Sequence, residues 1–363
     1  MTKRKKPINS AIDKDNSKRR RQLILRQSGV KQPMADSTFL LIITISLFIA
    51  IYALSIIFLG DKGFSKIQMF FNLFNENAAL IVIACGLTIV MIAGSIDISV
   101  GGQTALICTA CTVCLNRHGF NFYTALLLAL GIGLIFGLVQ GFLIAYMDIQ
   151  PFIVTLAGMF MGRGLVALIE VNQIQVDNEA FEKLSGSRIV FPFIGDYNKK
   201  GVFIPAKLEY GVVVAIIIVI AIYLLLKKTR LGRSFYAVGG NAQSALMMGI
   251  NVRKTRFYAH VLCGLLAGIG GFLYLFHTRS GSVQQATGLE MDAIAASIIG
   301  GTLLTGGVGN VIGTLFGVLT NGIVLLVVTA IGSQDPWWPQ ITRAAMLCFF
   351  IVLQSIICSR KKK

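Results

Sequence analysis

Apolar residues along this chain come in long uninterrupted runs, without the alternation of a strand or the one-sided stripe of a surface helix. Phe39 to Leu59 and Tyr210 to Leu226 are the plainest of them. Each fits the roughly 17–25 residues that a helix needs to cross a bilayer. The runs predict ten crossings, over residues 38–59, 78–94, 100–116, 123–146, 151–169, 210–226, 257–277, 291–306, 309–331 and 340–358. Those near residues 100 and 300 are short and glycine-rich, the pattern of a broken or re-entrant span. The fold class this predicts is all-α and integral to the membrane.

Glycine adds an internal symmetry. Gly133, Gly137 and Gly141 recur every fourth residue in the fourth run, and Gly309, Gly313 and Gly317 do so in the ninth. Such spacing gives a flat stripe on which helices pack closely. Five spans separate the two stripes, and an odd repeat length inverts the second copy, so a 5+5 inverted repeat is predicted. Repeats of this kind place a substrate path at their interface.

Composition agrees with the pattern: 55% of residues are hydrophobic and 13% charged, against about 25% charged in soluble domains. The net charge of +17 is unevenly spread. Residues 1–36 hold 11 Lys/Arg and 3 acids, residues 227–256 hold 7 and none, and residues 360–363 hold 4 and none. Ten spans put all three clusters on one side, as the positive-inside rule requires. Basic residues gathered in loops and tails also argue against nucleic acid as a partner; the partner surface is the lipid bilayer. The organisation predicted is a basic cytoplasmic extension over 1–37, a transmembrane domain over 38–358 and a basic cytoplasmic tail over 359–363. Within the domain, 170–209 is an extracytoplasmic loop and 227–256 a cytoplasmic one. The start of the chain reads as this extension and not as a signal peptide, because its apolar segment is as long as a full span.

Several residue types that carry chemistry elsewhere read as structural here. Cys108, Cys111 and Cys114 spread over a wide arc of a helix with no second ligand set, so packing is favoured over metal binding. His118, His260 and His277 are scattered, and Trp337 and Trp338 belong at a headgroup level. No G-x-x-x-x-G-K-[ST] phosphate cradle is present, and GGVGNVIG (Gly306 to Gly313) lacks both the spacing and the preceding strand of a dinucleotide site. No nucleophile–base set appears. The chain is not expected to be an enzyme or to bind a metal or cofactor, and any ATP is used by a partner.

Two stretches stand out. In GSIDISVGG (Gly94 to Gly102) a carboxylate lies among glycines and serines between two oily runs. An acid at a membrane centre costs about 2.5–3.5 kcal/mol on insertion scales, which points Asp97 to a polar cavity or an interface. Ser95, Ser99, Gln103 and Thr104 supply neutral hydrogen-bonding groups suited to hydroxyl-rich solutes. The alternative, equally open at this point, is that Asp97 or Ser99 caps the third helix. In the loop 227–256, Asn241 is placed to cap a short helix from Ala242 to Met248 that Gly249 stops. Its leucine and methionines suit docking into a partner groove, with a membrane-surface helix as the alternative.

AGSIDISVGG (Ala93 to Gly102), QPFIVTLAGMFMGRG (Gln150 to Gly164), VGGNAQSALMMGINV (Val238 to Val252) and DAIAASIIGGTLLTGGVGNVIGTLFG (Asp292 to Gly317) together resemble the membrane subunits of bacterial ATP-binding-cassette sugar importers. The likeness is to permeases of the ribose, xylose and galactofuranose type, the last above all. It departs at Ser95, where the family often has glycine, and in the long basic extension. The resemblance implies a permease for a monosaccharide in the bacterial inner membrane, with both termini cytoplasmic. Its partners would be a second permease, two ATPase subunits and an extracytoplasmic sugar-binding protein. It implies that Asp97, Ser99 and Gly101, with Gln103 and Thr104 beside them, lie near the translocation path. Gly239, Gly240, Asn241, Ala245, Gly249 and Ile250 would belong to the ATPase-coupling loop. Competing readings are an importer permease for a nucleoside or branched-chain amino acid, and an ion-coupled transporter using Asp97, Glu290 or Asp292.

Overall fold

The computed structural model describes residues 33–197, 202–331 and 337–360, and the side chains of 41–197, 202–331 and 337–352. The chain divides into two units, Met1–Phe39 and Leu40–Lys363. The first unit lies almost wholly outside the described residues, as do the tail residues 361–363; the second carries the helical bundle.

Helices overlap all the predicted runs, though not every one has the length of a full span. These are α1 (Pro33–Leu59), α2 (Ile67–Ile92), α3 (Val100–Arg117), α4 (Phe122–Tyr146) and α5 (Pro151–Ile169), followed after a connection by α7 (Tyr210–Lys228). Two further helices, α8 (Arg230–Gly240) and α9 (Ala242–Met247), precede α10 (Val252–Thr278), α11 (Leu289–Ile299), α12 (Val311–Ile331) and α13 (Trp338–Arg360). Among the described residues seven helices are long and apolar enough to cross a membrane: α1 over Leu41–Lys62, then α2, α4, α5, α7, α10 and α12. The fold is that of a helical integral membrane protein.

Local chemistry sets the boundaries. Asn121 opens α4 with a capping box: its side chain accepts the Thr124 N–H while Thr124 Oγ1 accepts the Asn121 N–H. Pro151 starts α5 at a position where no N–H is needed. Asn251 caps α10 by accepting the Lys254 N–H. The eighth predicted span, 291–306, is corrected: α11 ends at Ile299, eleven residues long. Gly301, Gly306 and Gly307 then take positive φ values that no helix can hold, and Asn310 caps the start of α12. Gly309 consequently lies in this irregular segment and not on the helical stripe expected of it. The all-α expectation is also adjusted. The connection 170–209 carries a short helix, α6 (Glu179–Gly186), and an antiparallel hairpin of β2 (Arg188–Tyr197) and β3 (Phe203–Glu209). A second small sheet pairs β1 (Ile174–Gln175) with β4 (Ser280–Gly281).

Two ends of the bundle are defined by contacts. At one end α8 meets the α2–α3 turn and the 300–310 segment, and Arg253 faces Asp148 of the α4–α5 connection. At the other, the Lys207 carbonyl accepts from Gln68 and Asn75, and Asn75 accepts the Glu209 N–H while His277 pairs with Glu209. α2 and α10 are the most buried of the seven and α1 the least.

Glycines of α4 and α12 sit at close contacts with neighbouring elements. Gly133 and Gly137 of α4 lie against Gly264 and Gly268 of α10, backbone on backbone. Gly141 lies against Phe257 and His260, Gly313 against Gly300, and Gly317 against Ala296. A Cβ on Gly264 would overlap the Gly133 carbonyl and come within 2.7 Å of Gly137 Cα. No rotamer change relieves a clash with backbone, and overpacking typically costs about 1–3 kcal/mol. Gly264→Leu is therefore expected to lower the thermal midpoint of the purified protein and its membrane yield severalfold, whereas Gly131→Ala, in open space, leaves both within error; melting in detergent measures the difference.

Candidate functional site

Gly94 builds the first part of the site. α2 ends in a Schellman motif, with Gly94 N–H bonding the Met91 carbonyl at 2.9 Å and Ser95 N–H the Val90 carbonyl at 3.0 Å. Gly94 holds φ +79, which only glycine takes without strain. The turn delivers residues 95–99 into a buried pocket among α3, α4 and α10. Asp97 Oδ1 accepts the Ser99 N–H at 2.9 Å and the Ser99 hydroxyl at 2.6 Å. Gln103 donates to Ser99 Oγ at 2.6 Å, and Gln140 of α4 lies 3.1 Å from the same hydroxyl. Ser95 Oγ meets His260 Nε2 at 2.9 Å.

The cluster is sealed: Asp97 is 1% exposed, and Ser99, Gln103, Thr104 and His260 are 0% exposed. Asp97 Oδ2 and His260 Nδ1 face each other at 4.0 Å, too far for a hydrogen bond, and neither has another partner. Thr104 turns its hydroxyl back to the Val100 carbonyl. Gly101 lies against Glu290 and the Ala286 carbonyl, so that a Cβ would overlap Glu290 Oε2. Asp97 thus orders its own turn, α3 has no side-chain cap hydrogen bond, and in this conformation the signature closes on protein. Gln140 and His260 were not anticipated as members. A lone histidine inside an apolar helix was the available signal, but its partner Ser95 is 165 residues away. Arg163, in α5, was missed too: it holds the carbonyls of Val283, Gln285 and Ala286 and so fixes the irregular segment before α11.

The second part is the polar loop. Asn241 accepts the Ser244 N–H at 2.9 Å, and Gly249 stops the chain at φ +81, so the predicted short helix forms. Ala245 is its buried anchor, while Leu246, Met247 and Met248 are 62%, 89% and 69% exposed. A cleft of about 620 Å³ runs beside it, lined by Ala242, Leu246, Ile250, Asp148, Arg253 and Arg256 among others. α8 was not anticipated. Thr229 caps it, and Phe235 and Val238 form its buried face. Tyr236 of α8 donates to the Gly309 carbonyl at 2.9 Å; burial pushes this phenol up to about 12, which keeps it a donor at neutral pH.

Three backbones meet where the two parts touch. A Cβ on Gly239 would overlap the Ile92 carbonyl oxygen and stand 2.7 Å from Gly307 N. Gly306 lies against Gly94, and Gly307 against Gly240. The Gly307 N–H bonds the Ile92 carbonyl at 2.9 Å. The α2–α3 turn, the end of α8 and the 300–310 segment are thereby in direct contact with no side chain between them. Among the described residues no group of three or more His, Cys, Asp or Glu side chains is arranged to hold a metal.

Comparison with known proteins identifies the family of this multi-span helical body. Residues 69–351 match the family model of the branched-chain amino acid transport system permease component. The chain is 36% identical over 314 residues to the inner membrane ABC transporter permease protein YjfF of Escherichia coli (strain K12), covering 86% of this chain and 91% of that one. It is 32% identical over 286 residues to the fructose import permease protein FruG of Bifidobacterium longum (79% and 82% covered). To the ribose import permease protein RbsC of Escherichia coli (strain K12) it is 31% identical over 318 residues (88% and 94% covered). No solved structure matches significantly. The chain belongs to this permease family: it is a multi-pass membrane permease component of an ABC importer.

Proposed function

We propose that this permease carries a monosaccharide across the bacterial inner membrane by alternating access, driven by ATP hydrolysed on partner subunits. The relatives named for fructose and ribose import support the sugar class, and galactofuranose is among the sugars to assay because the signature motifs resemble those of its permease. The working assembly is this chain with a second permease, two ATPase subunits and an extracytoplasmic sugar-binding protein, in a bilayer with both termini cytoplasmic. The three basic clusters support that orientation.

A ten-span, 5+5 inverted repeat is part of the proposal, and the packing supports it. α4 packs on α10 as α12 packs on α2; α3 packs on α5 and α10 as α11 packs on α13 and α2. These are the pairs that an inversion after the fifth span exchanges. Asp97, Ser99, Gly101, Gln103 and Thr104 then form a closed gate beside the path. Gly239, Gly240, Asn241, Ala245, Gly249 and Ile250 shape the unit that transmits nucleotide-driven motion.

The observation that carries the reading is α9, a capped helix whose Leu246, Met247 and Met248 stand out from the body beside an open cleft. Apolar side chains this exposed at the polar end of a membrane protein suit a partner groove. The double variant Leu246→Glu, Met247→Glu leaves the buried anchor Ala245 intact and is expected to lower ATPase co-purification and vesicle sugar uptake at least tenfold. A double variant that retains its ATPase and transports normally excludes α9 as the coupling helix; a wild-type assembly that moves no sugar excludes the cargo class.

A further inference from the structure

Between α2, α10, α11, α12 and α13 lies a second cavity, of about 280 Å³. Glu76 and Asn77 enter it from α2, beside the Asn75 that bonds the Glu209 N–H, and Tyr274 enters from the last turns of α10. That places it in the half of the bundle nearer the β2–β3 hairpin. Its polar wall is an incomplete ion pair. Arg343 Nε lies 3.3 Å from Asp292 Oδ1, but the two are not aligned as a hydrogen bond, and Nε has no other partner. Asn321 donates to the same oxygen at 3.4 Å, a long contact. Thr329 and Glu76, both exposed, line the cavity as well. Leucines of α2, α11 and α12 complete it.

We propose that this cavity is a subsite for a neutral, polyhydroxylated ring on the outward half of the permease. The proposal rests on the transport reading above and adds where cargo is held. An ion is poorly served here: a cation meets the Arg343 guanidinium, and an anion meets Glu76 and Asp292. A pair of adjacent hydroxyls is well served, because each can accept from Arg343 and donate to a carboxylate at once. The aliphatic wall receives the ring's C–H face. The volume falls just below the usual range of ligand sites, about 300–1,000 Å³, which suits a single ring.

The test uses the complete importer in vesicles with its own binding protein and radiolabelled D-ribose, D-galactose and D-fructose as probes. Leu325→Trp, which fills the cavity, is expected to cut uptake at least thirtyfold. Glu76→Gln and Arg343→Gln are expected to change the ranking of the three sugars at least fivefold, a readout that a structural role would not move. Glu76 is exposed, so its variant tests the proposal even where the others destabilise the bundle. Uptake within twofold of wild type in Glu76→Gln and Leu325→Trp, with the ranking unchanged, overturns the subsite while leaving the transport reading intact. A wild-type importer that moves none of the sugars overturns the transport reading and the subsite with it.

Discussion

Asp97→Lys is expected to lower uptake at least a hundredfold, while Asp97→Asn is expected to stay within tenfold of wild type. The difference lies in what each substitution does to the Ser99 turn. Asp97 Oδ1 takes both the Ser99 N–H and the Ser99 hydroxyl, and an asparagine oxygen takes the same two. Its amide nitrogen then replaces Oδ2, the atom that has no hydrogen-bond partner, so no existing bond is lost. Lysine removes the acceptor, leaves the Ser99 N–H unsatisfied in a fully buried cluster at about 1–3 kcal/mol, leaves the Ser99 hydroxyl only its longer bond to Gln140, and adds a charge with no counter-ion. It also sets an ammonium against His260 where a carboxylate now stands at 4.0 Å. Uptake by the reconstituted importer, read beside melting of each variant, measures both effects. Lysine and asparagine variants of equal activity would separate Asp97 from the gate.

The parts of this protein legible in its sequence are those determined by near neighbours. α9 was legible because Asn241 and Gly249 bracket it within nine residues, and each does at its own position what its chemistry dictates. The glycine stripe of α4 was legible for the same reason, although its partners, Gly264 and Gly268, were not. α11 was legible as a short, broken span but its end was not, because hydropathy reads residues 291–306 as one apolar run and is blind to backbone handedness. The positive φ at Gly301 is what ends the span. The helix α8 carried a signal that went unread: Leu231, Phe235 and Val238 recur at helical spacing, and the latter two are buried. The Asp97 site was half legible. Its carboxylate, serine and glutamine lie within seven residues of one another, whereas Gln140 and His260 reach it only through the packing of α4 against α10. The partners of Arg163 and Arg343, at 283–286 and 292, come from other elements of the chain.

Gly239→Ala is expected to uncouple the motor from the gate, and Gly240→Ala is not. The two substitutions add the same methyl group one residue apart. At Gly239 it would overlap the Ile92 carbonyl and crowd Gly307 N, the two ends of the hydrogen bond that joins α2 to the 300–310 segment. At Gly240 the nearest atom is Gly307 Cα at 4.0 Å, an ordinary contact. Backbone on both sides of Gly239 leaves no rotamer to give way, so α8 must move off α2. Only Asn241 separates α8 from α9, and the exposed face of α9 is untouched, so the ATPase still docks. What changes is the path from that docking site to the Gly94 turn and to the α11–α12 segment, both of which rest on this contact. The expected result is ATPase co-purification within twofold of wild type and hydrolysis that no longer responds to sugar-loaded binding protein. Uptake should be reduced at least thirtyfold for Gly239→Ala, with all three readouts near wild type for Gly240→Ala. Coupled transport surviving in the Gly239 variant would mean that force reaches the gate by another contact, and Tyr236 to Gly309, a hydrogen bond from α8 to that same segment, would be the one to sever next.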